Sequence, residues 1–433
     1  MNRARTLFPS LLAFSLAGTL AGAASAQCTE RWHAMPGVTG PAPSIRALTW
    51  WDPDGEGPLP KVLVAAGEFT AAGGVPASNI AAWDGTTWSP LGLGTDGPVS
   101  ALAVLHTGEL VASGTFTTAG GQPRPNIAMW DGSSWLGLGD GLNNSTYALA
   151  VTHGGDLIAG GFFFASGATN LPRVARWDGS AWHPMGAGTS GGVYALAELP
   201  SGEIVAGGLF ATASGHMVRN IARWDGSTWN AMGAGANAAV LSLGIDSNGD
   251  LVAGGIFTFI GSAVASHVAR WDGSMWLPMG VGLDAQPLQF VNMPNGDLVA
   301  GGHFWYSGSM PMSKIARWDG IAWNAMGSGM NQYVMGLAVS PTGDLHAGGG
   351  YTSVDGIVVD CIASWKACSG CAADYNGDGL GDVLDFLDFI DDFAACESLP
   401  APCGSIADAD FNADTVVDIL DFLDFIDAFA TGC

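Results

Sequence analysis

The stretch Ile221-Ala222-Arg223-Trp224-Asp225-Gly226-Ser227-Thr228-Trp229-Asn230-Ala231-Met232-Gly233 sets two short apolar runs on either side of an Asp-Gly pair. Such a pair supplies the positive φ that a tight hairpin turn needs, so the text reads as two antiparallel strands. Its first Trp belongs to a column, Trp83, Trp130, Trp177, Trp224, Trp271, Trp318 and Trp365, with a constant step of 47 residues. A second column, Phe69, Phe116, Phe163, Phe210, Phe257, Phe304 and Tyr351, keeps the same step, and no insertion or deletion breaks the register. The chain therefore repeats one structural unit, and both columns have seven members.

In the unit that holds this stretch, Leu196 to Leu199 is predicted as strand a and Ser201-Gly202-Glu203 as a tight turn. Strand b is Ile204 to Gly208; after a longer loop come strand c, Ile221 to Trp224, and strand d, Trp229 to Gly233. Four-stranded units of this length close into a β-propeller, whereas an open solenoid needs atypical capping repeats. The two ends complement each other instead. Arg31-Trp32-His33-Ala34-Met35 resembles the strand-d text Thr228-Trp229-Asn230-Ala231-Met232, and the last unit has Ile362-Ala363-Ser364-Trp365 but no second Trp. Trp32 is thus expected beside Trp365, the first strand closing the last blade. The predicted fold class is all-β, a seven-bladed β-propeller over residues 27–368. The Gly-Gly of strand b and the spaced Trp residues resemble kelch-type propellers. That resemblance implies the fold and leaves the function open, because the scaffold serves binders and enzymes alike. The Asp-box of sialidases is not matched.

Residues 1–26 read as a secretory signal: Arg3 and Arg5, an apolar run from Leu7 to Leu20, and the small residues Ala24-Ser25-Ala26. No later stretch is long and apolar enough to read as a membrane-spanning helix. The formal charge is −25, and residues 371–433 hold 14 Asp, one Glu and no Lys or Arg. A basic face for phosphate is lacking, so nucleic acid is not an expected partner.

The acid of residues 371–433 is patterned. Asp374, Asn376, Asp378, Asp382 and Asp385, with the backbone carbonyl of Leu380, occupy the ligand positions of a calcium loop, and Gly379 permits its sharp turn. A second loop repeats them as Asp410, Asn412, Asp414, Asp418 and Asp421, with the carbonyl of Val416, although Thr415 stands where Gly is expected. Behind each loop comes an amphipathic helix pattern, Leu384 to Phe393 and Leu420 to Phe429. The duplicated loop and helix resemble a dockerin, here ending on Gly432-Cys433. The resemblance implies a small α-helical domain, Ca2+ as its ion, and a cohesin-like or other surface docking partner. Val383-Leu384 and Ile419-Leu420 depart from the small hydroxyl residues of cellulosomal dockerins.

On the propeller, the a–b and c–d turns are short and uniform, while the b–c and d–a loops differ from blade to blade. Variable loops on a rigid frame are the usual seat of function. Within them Phe164, Phe259, Trp305 and Tyr306 replace small residues of other blades, which makes them candidate stacking positions for a sugar. Arg176, Arg223, Arg270 and Arg317 form a strand-c column, expected to pair between blades with Asp178, Asp225, Asp272 and Asp319. Asp140 and Asp284 could be drawn as paired carboxylates, but sequence does not bring them together.

Seven cysteines lie after the signal, where disulfides form. Alignment of Trp365 and Trp32 with the Trp83–Trp88 hairpin puts Cys28 and Cys368 at the missing turn. Cys396 and Cys403 flank a short link, Cys371 and Cys433 bound the duplicated module, and Cys361 is left as a free thiol. The function expected is an exported, non-catalytic propeller for a polysaccharide or protein ligand, docked by its tail. The alternative is a lyase or glycoside hydrolase delivered by the same tail.

Overall fold

The computed structural model describes residues 31–55, 57 and 59–366. The signal segment, both calcium loops and every cysteine except Cys361 lie outside these residues.

The described chain is a β-propeller. Seven four-stranded antiparallel sheets form, each in the order a-b-c-d. Each innermost strand packs against those of both neighbouring sheets, and the strand Val334–Val339 of the last sheet packs against Ser44–Trp51 of the first. In the repeat quoted above, the strands are Val193–Glu198, Ile204–Gly208, Ile221–Trp224 and Trp229–Ala231. The sequence reading started strand a three residues late. It also took the b–c connection for plain loop, whereas Thr212–Ala213 and His216–Met217 pair there as a small hairpin. Every repeat carries such a hairpin.

The two Trp columns hold each sheet to its neighbour. Trp224 stands opposite Trp229 across the c–d pair, with ring centroids 5.4 Å apart. The Trp229 indole N–H then donates to the carbonyl of Met185 in the preceding repeat at 2.9 Å. The same bond recurs from Trp88, Trp135, Trp182, Trp276 and Trp323. The last sheet takes its outer strand from the chain's beginning. Arg31–Ala34 pairs with Ile362–Lys366, and Trp32 donates to Met326 O at 3.0 Å. The Phe column, with Tyr351, is buried throughout, filling the space between sheets.

One backbone irregularity recurs in every a–b pair. Val193 faces Gly208 and Ala195 faces Gly207, so Tyr194 is an extra residue, a β-bulge. Gly208 fits there because a Cβ would lie 2.1 Å from Gly192 O. Among the described residues no helix is long and apolar enough to cross a membrane.

Candidate functional site

The a–b and c–d turns share one end of the propeller, and the b–c hairpins and d–a loops share the other. At the turn end the charges are internally engaged. Arg176 pairs with Asp156 at 2.7 Å, Arg223 with Glu203 at 3.2 Å, Arg270 with Asp250 at 2.7 Å and Arg317 with Asp297 at 3.3 Å. This corrects the expected pairing with Asp178, Asp225, Asp272 and Asp319: the pairs lie within a sheet, not between sheets. Those four Asp residues are drawn into their own c–d turns. Asp225 Oδ1 accepts the N–H groups of Ser227 and Thr228 at 2.9 and 2.8 Å. Such bonds favour the ionised form. The equivalent bonds from Ser134 and Ser133 hold Asp131 at about 2.

The loop end is different. Six of its seven d–a loops contribute a polar side chain that accepts N–H groups from the next hairpin. Asp284 Oδ1 takes those of Trp305 and Tyr306 at 2.7 and 2.9 Å. Asp96 takes those of Thr117 and Thr118, both at 2.8 Å, and Asn143 those of Phe164 and Ala165. Asp284 therefore has a structural task. Asp140 sits at a non-equivalent position, in a Gly-Asp-Gly turn.

All four candidate aromatics are on this end and stay open to solvent: Phe164 at 46% exposure, Phe259 at 50%, Trp305 at 45% and Tyr306 at 48%. Two of them are backed by a cation from the residue just before strand c of their own sheet. Lys314 Nζ lies 3.7 Å from the Trp305 ring centroid, and the Arg173 guanidinium lies 4.3 Å from that of Phe164. Both cations occupy a repeat position where three sheets have Asn. Asn79, Asn126 and Asn220 adopt positive φ there, and each donates to the following d–a loop. Arg173 keeps that bond through Nη1, to Thr189 O at 2.6 Å. Lys314 turns instead to His303 O at 2.8 Å. Burial pushes the Lys314 ammonium below its ordinary value, and nearby Asp284 opposes this.

The sequence reading missed an inner rim. The bulged residues Arg46, Tyr147 and Tyr194 stand where strand a begins, nearest the propeller axis. Tyr147, Phe162 and Tyr194 form a three-ring cluster with centroids 5.7–5.9 Å apart. His303 stacks on Tyr333 at 5.2 Å, and Arg46 pairs with Glu68 at 2.8 Å. Burial first, then Lys314, holds the His303 imidazole below its usual range. The one signal available was a shared repeat position, since the bulge column runs through Arg46, Ser100, Tyr147, Tyr194, Leu241, Leu288 and Met335 with no single residue type.

Two open clefts interrupt this end. One, of about 390 Å³, lies between the first two sheets and is lined by Glu68, Phe69, Thr70 and Asp96 among others. The second, of about 490 Å³, lies between the fourth and fifth sheets, against Leu209, Ala211, Arg219, Ala236 and Asn237. Among the described residues no group of three or more His, Cys, Asp or Glu could hold a metal ion.

Neither a protein-family model nor a curated protein matches this sequence. Among solved structures it is similar to two structures of the extracellular domain of BT4673 from B. thetaiotaomicron. Both are 9% identical, over 78% of this chain and 40% of theirs, with TM-scores of 0.52 and 0.50. The chain thus spans well under half the length of those proteins. The WD40 β-propeller domain of Doa1 matches 78% of this chain and 96% of its own, at 12% identity and a TM-score of 0.49. Identities this low speak to the fold alone.

Proposed function

We propose that this protein is an exported, seven-bladed, kelch-like propeller that binds a glycan or protein ligand on its loop end without transforming it. The observation that carries this reading is the contrast between the two kinds of side chain on that end. Two of its acids, Asp96 and Asp284, are spent on backbone N–H groups, whereas Trp305, Tyr306, Phe164 and Phe259 keep open surface. Exposed rings on a rigid frame offer apolar area with little ordering entropy on binding. A hydrolase or lyase would need acid and base groups free to meet substrate, and Asp284 is already engaged.

The C-terminal residues complete the proposal. Asp374, Asn376, Asp378, Asp382 and Asp385, and their counterparts from Asp410 to Asp421, are hard oxygen donors in alternation, a donor set that suits Ca2+. The ion would draw together carboxylates that otherwise repel, and the folded dockerin-like module would dock the propeller to a cohesin-like or other surface partner. Export follows from the reading of residues 1–26.

A polysaccharide panel tests the propeller half, scored for both retention of the protein and release of new chain ends. Retention without cleavage is expected, and it should be lost in a Trp305→Ala/Tyr306→Ala variant. Release of chain ends by the wild type would overturn the non-catalytic reading.

A further inference from the structure

Two sets of cations stand at opposite ends of the propeller. The strand-c arginines at the turn end are all ion-paired. At the loop end, the segment between the b–c hairpin and strand c carries Arg124, Arg173, Arg219, His267 and Lys314 in five consecutive sheets; Arg173, His267 and Lys314 share one repeat position, and Arg124 and Arg219 stand two and one residues before it. Among the described residues, Arg124, Arg173 and Arg219 form no ion pair. Arg173 lies against Phe164, as described. Arg124 Nη1 reaches only its neighbour's carbonyl, Pro123 O, at 2.8 Å, and its Nε is buried without a partner. Arg219 is exposed on the wall of the larger cleft, with φ of 49°, a conformation that side-chain-bearing residues resist.

In a chain of formal charge −25, carboxylates are plentiful, yet among the described residues none pairs with these three arginines. A neutral ligand would leave the three guanidinium charges uncompensated. A carboxylate would meet their fork of donors with matching geometry. Open rings alongside, Phe164 and then Phe259, suit the apolar faces of sugar rings. The acids of the turn end do not forbid a polyanion, because exposed charges are largely screened beyond about 8 Å at physiological salt.

We infer that the loop end binds a polyuronate, with Arg124, Arg173 and Arg219 meeting carboxylates of one chain and the neighbouring rings stacking on the sugars. This rests on the loop-end binding reading and names its ligand class. The test titrates the full mature chain with oligogalacturonate in buffer without added calcium, since calcium would crosslink the polymer itself. Parallel arms use a neutral glucan of the same length and poly-glutamate. Expected is binding to the uronate that weakens as salt rises and falls about tenfold in Arg124→Ala/Arg219→Ala. The melting temperature should fall little, because neither side chain forms a hydrogen bond to a distant residue, although Arg124 packs against Gly137. Equal binding of uronate by wild type and variant overturns the inference. So does binding only to the glucan, which leaves the loop-end reading standing. Binding to poly-glutamate alone assigns the end to an acidic protein and also overturns it. No binding in any arm removes the glycan reading as well.

Discussion

Trp32 and Trp365 face each other across the antiparallel pair that joins the first described strand to the last, with ring centroids 5.3 Å apart at 61°. Residues 333 positions apart in sequence thus make the contact that every other sheet makes between strands joined by a tight turn. The last sheet alone lacks that turn.

A covalent substitute for it is expected. Cys28 and Cys368 flank the Trp32–Trp365 pair in sequence, and a bridge between them would contribute about 2–4 kcal/mol by restricting the unfolded chain. Cys361 is buried, its Sγ 3.3 Å from Pro43 O, and burial pushes its thiol up to about 11. Alkylation with and without denaturant, followed by non-reducing peptide mapping, should find one free thiol per chain, at Cys361, labelled only after unfolding. The mapping should also return the pairs Cys28–Cys368, Cys371–Cys433 and Cys396–Cys403. A bridged Cys361 or a free Cys433 would break the assignment.

The same closing sheet should sense acid. His346 is 8% exposed, with Met35 Sδ at 3.3 Å from Nδ1 and Trp50 edge-on at 5.5 Å. Burial, helped by Lys366, lowers its imidazole to about 4. The unfolded chain binds this proton more readily, so stability is intact above about pH 6.5 and is lost as pH falls towards 4. The full loss amounts to roughly 3 kcal/mol. The c–d turn carboxylates titrate at lower pH and leave this window clear. Urea denaturation from pH 7 to 4 should show a steeper loss in the wild type than in His346→Gln. Parallel curves would remove His346 as the cause.

The repeat, the strand text and the strand exchange at the ends were legible because packing fixes them. A buried Trp or Phe at each interface must recur with the period of the unit. What stayed hidden depends on where backbone hydrogen bonds go. The bulge that presents Tyr147 and Tyr194 leaves no common residue type at its column. The Arg column was assigned to the wrong acids for a related reason. Asp178 and Asp225 are claimed by turn N–H groups, leaving Asp156 and Glu203, across the b–c pair, to meet Arg176 and Arg223. The aromatics were found from sequence, but not the cations packed behind Trp305 and Phe164.

Calcium should govern the C-terminal residues. Each loop gathers four Asp with no Lys or Arg between residues 371 and 433, so the metal-free form is self-repelling. Extracellular sites of this type bind at roughly 10⁻⁴ to 10⁻³ M. Far-UV circular dichroism of the full chain should gain helical signal on calcium addition, and Asp374→Ala/Asp385→Ala should remove the part due to the first loop. Identical spectra in calcium and in chelator would contradict the assignment.

The most direct test of the account is retention on a polysaccharide bound by the wild type, repeated with Trp305→Ala/Tyr306→Ala alongside its denaturation midpoint. A platform predicts lost retention with a nearly unchanged midpoint, since both side chains are close to half exposed. Retention that survives, or a stability loss of about 3–5 kcal/mol as for buried aromatics, would make these rings packing residues and contradict the assignment of the loop end as the binding site.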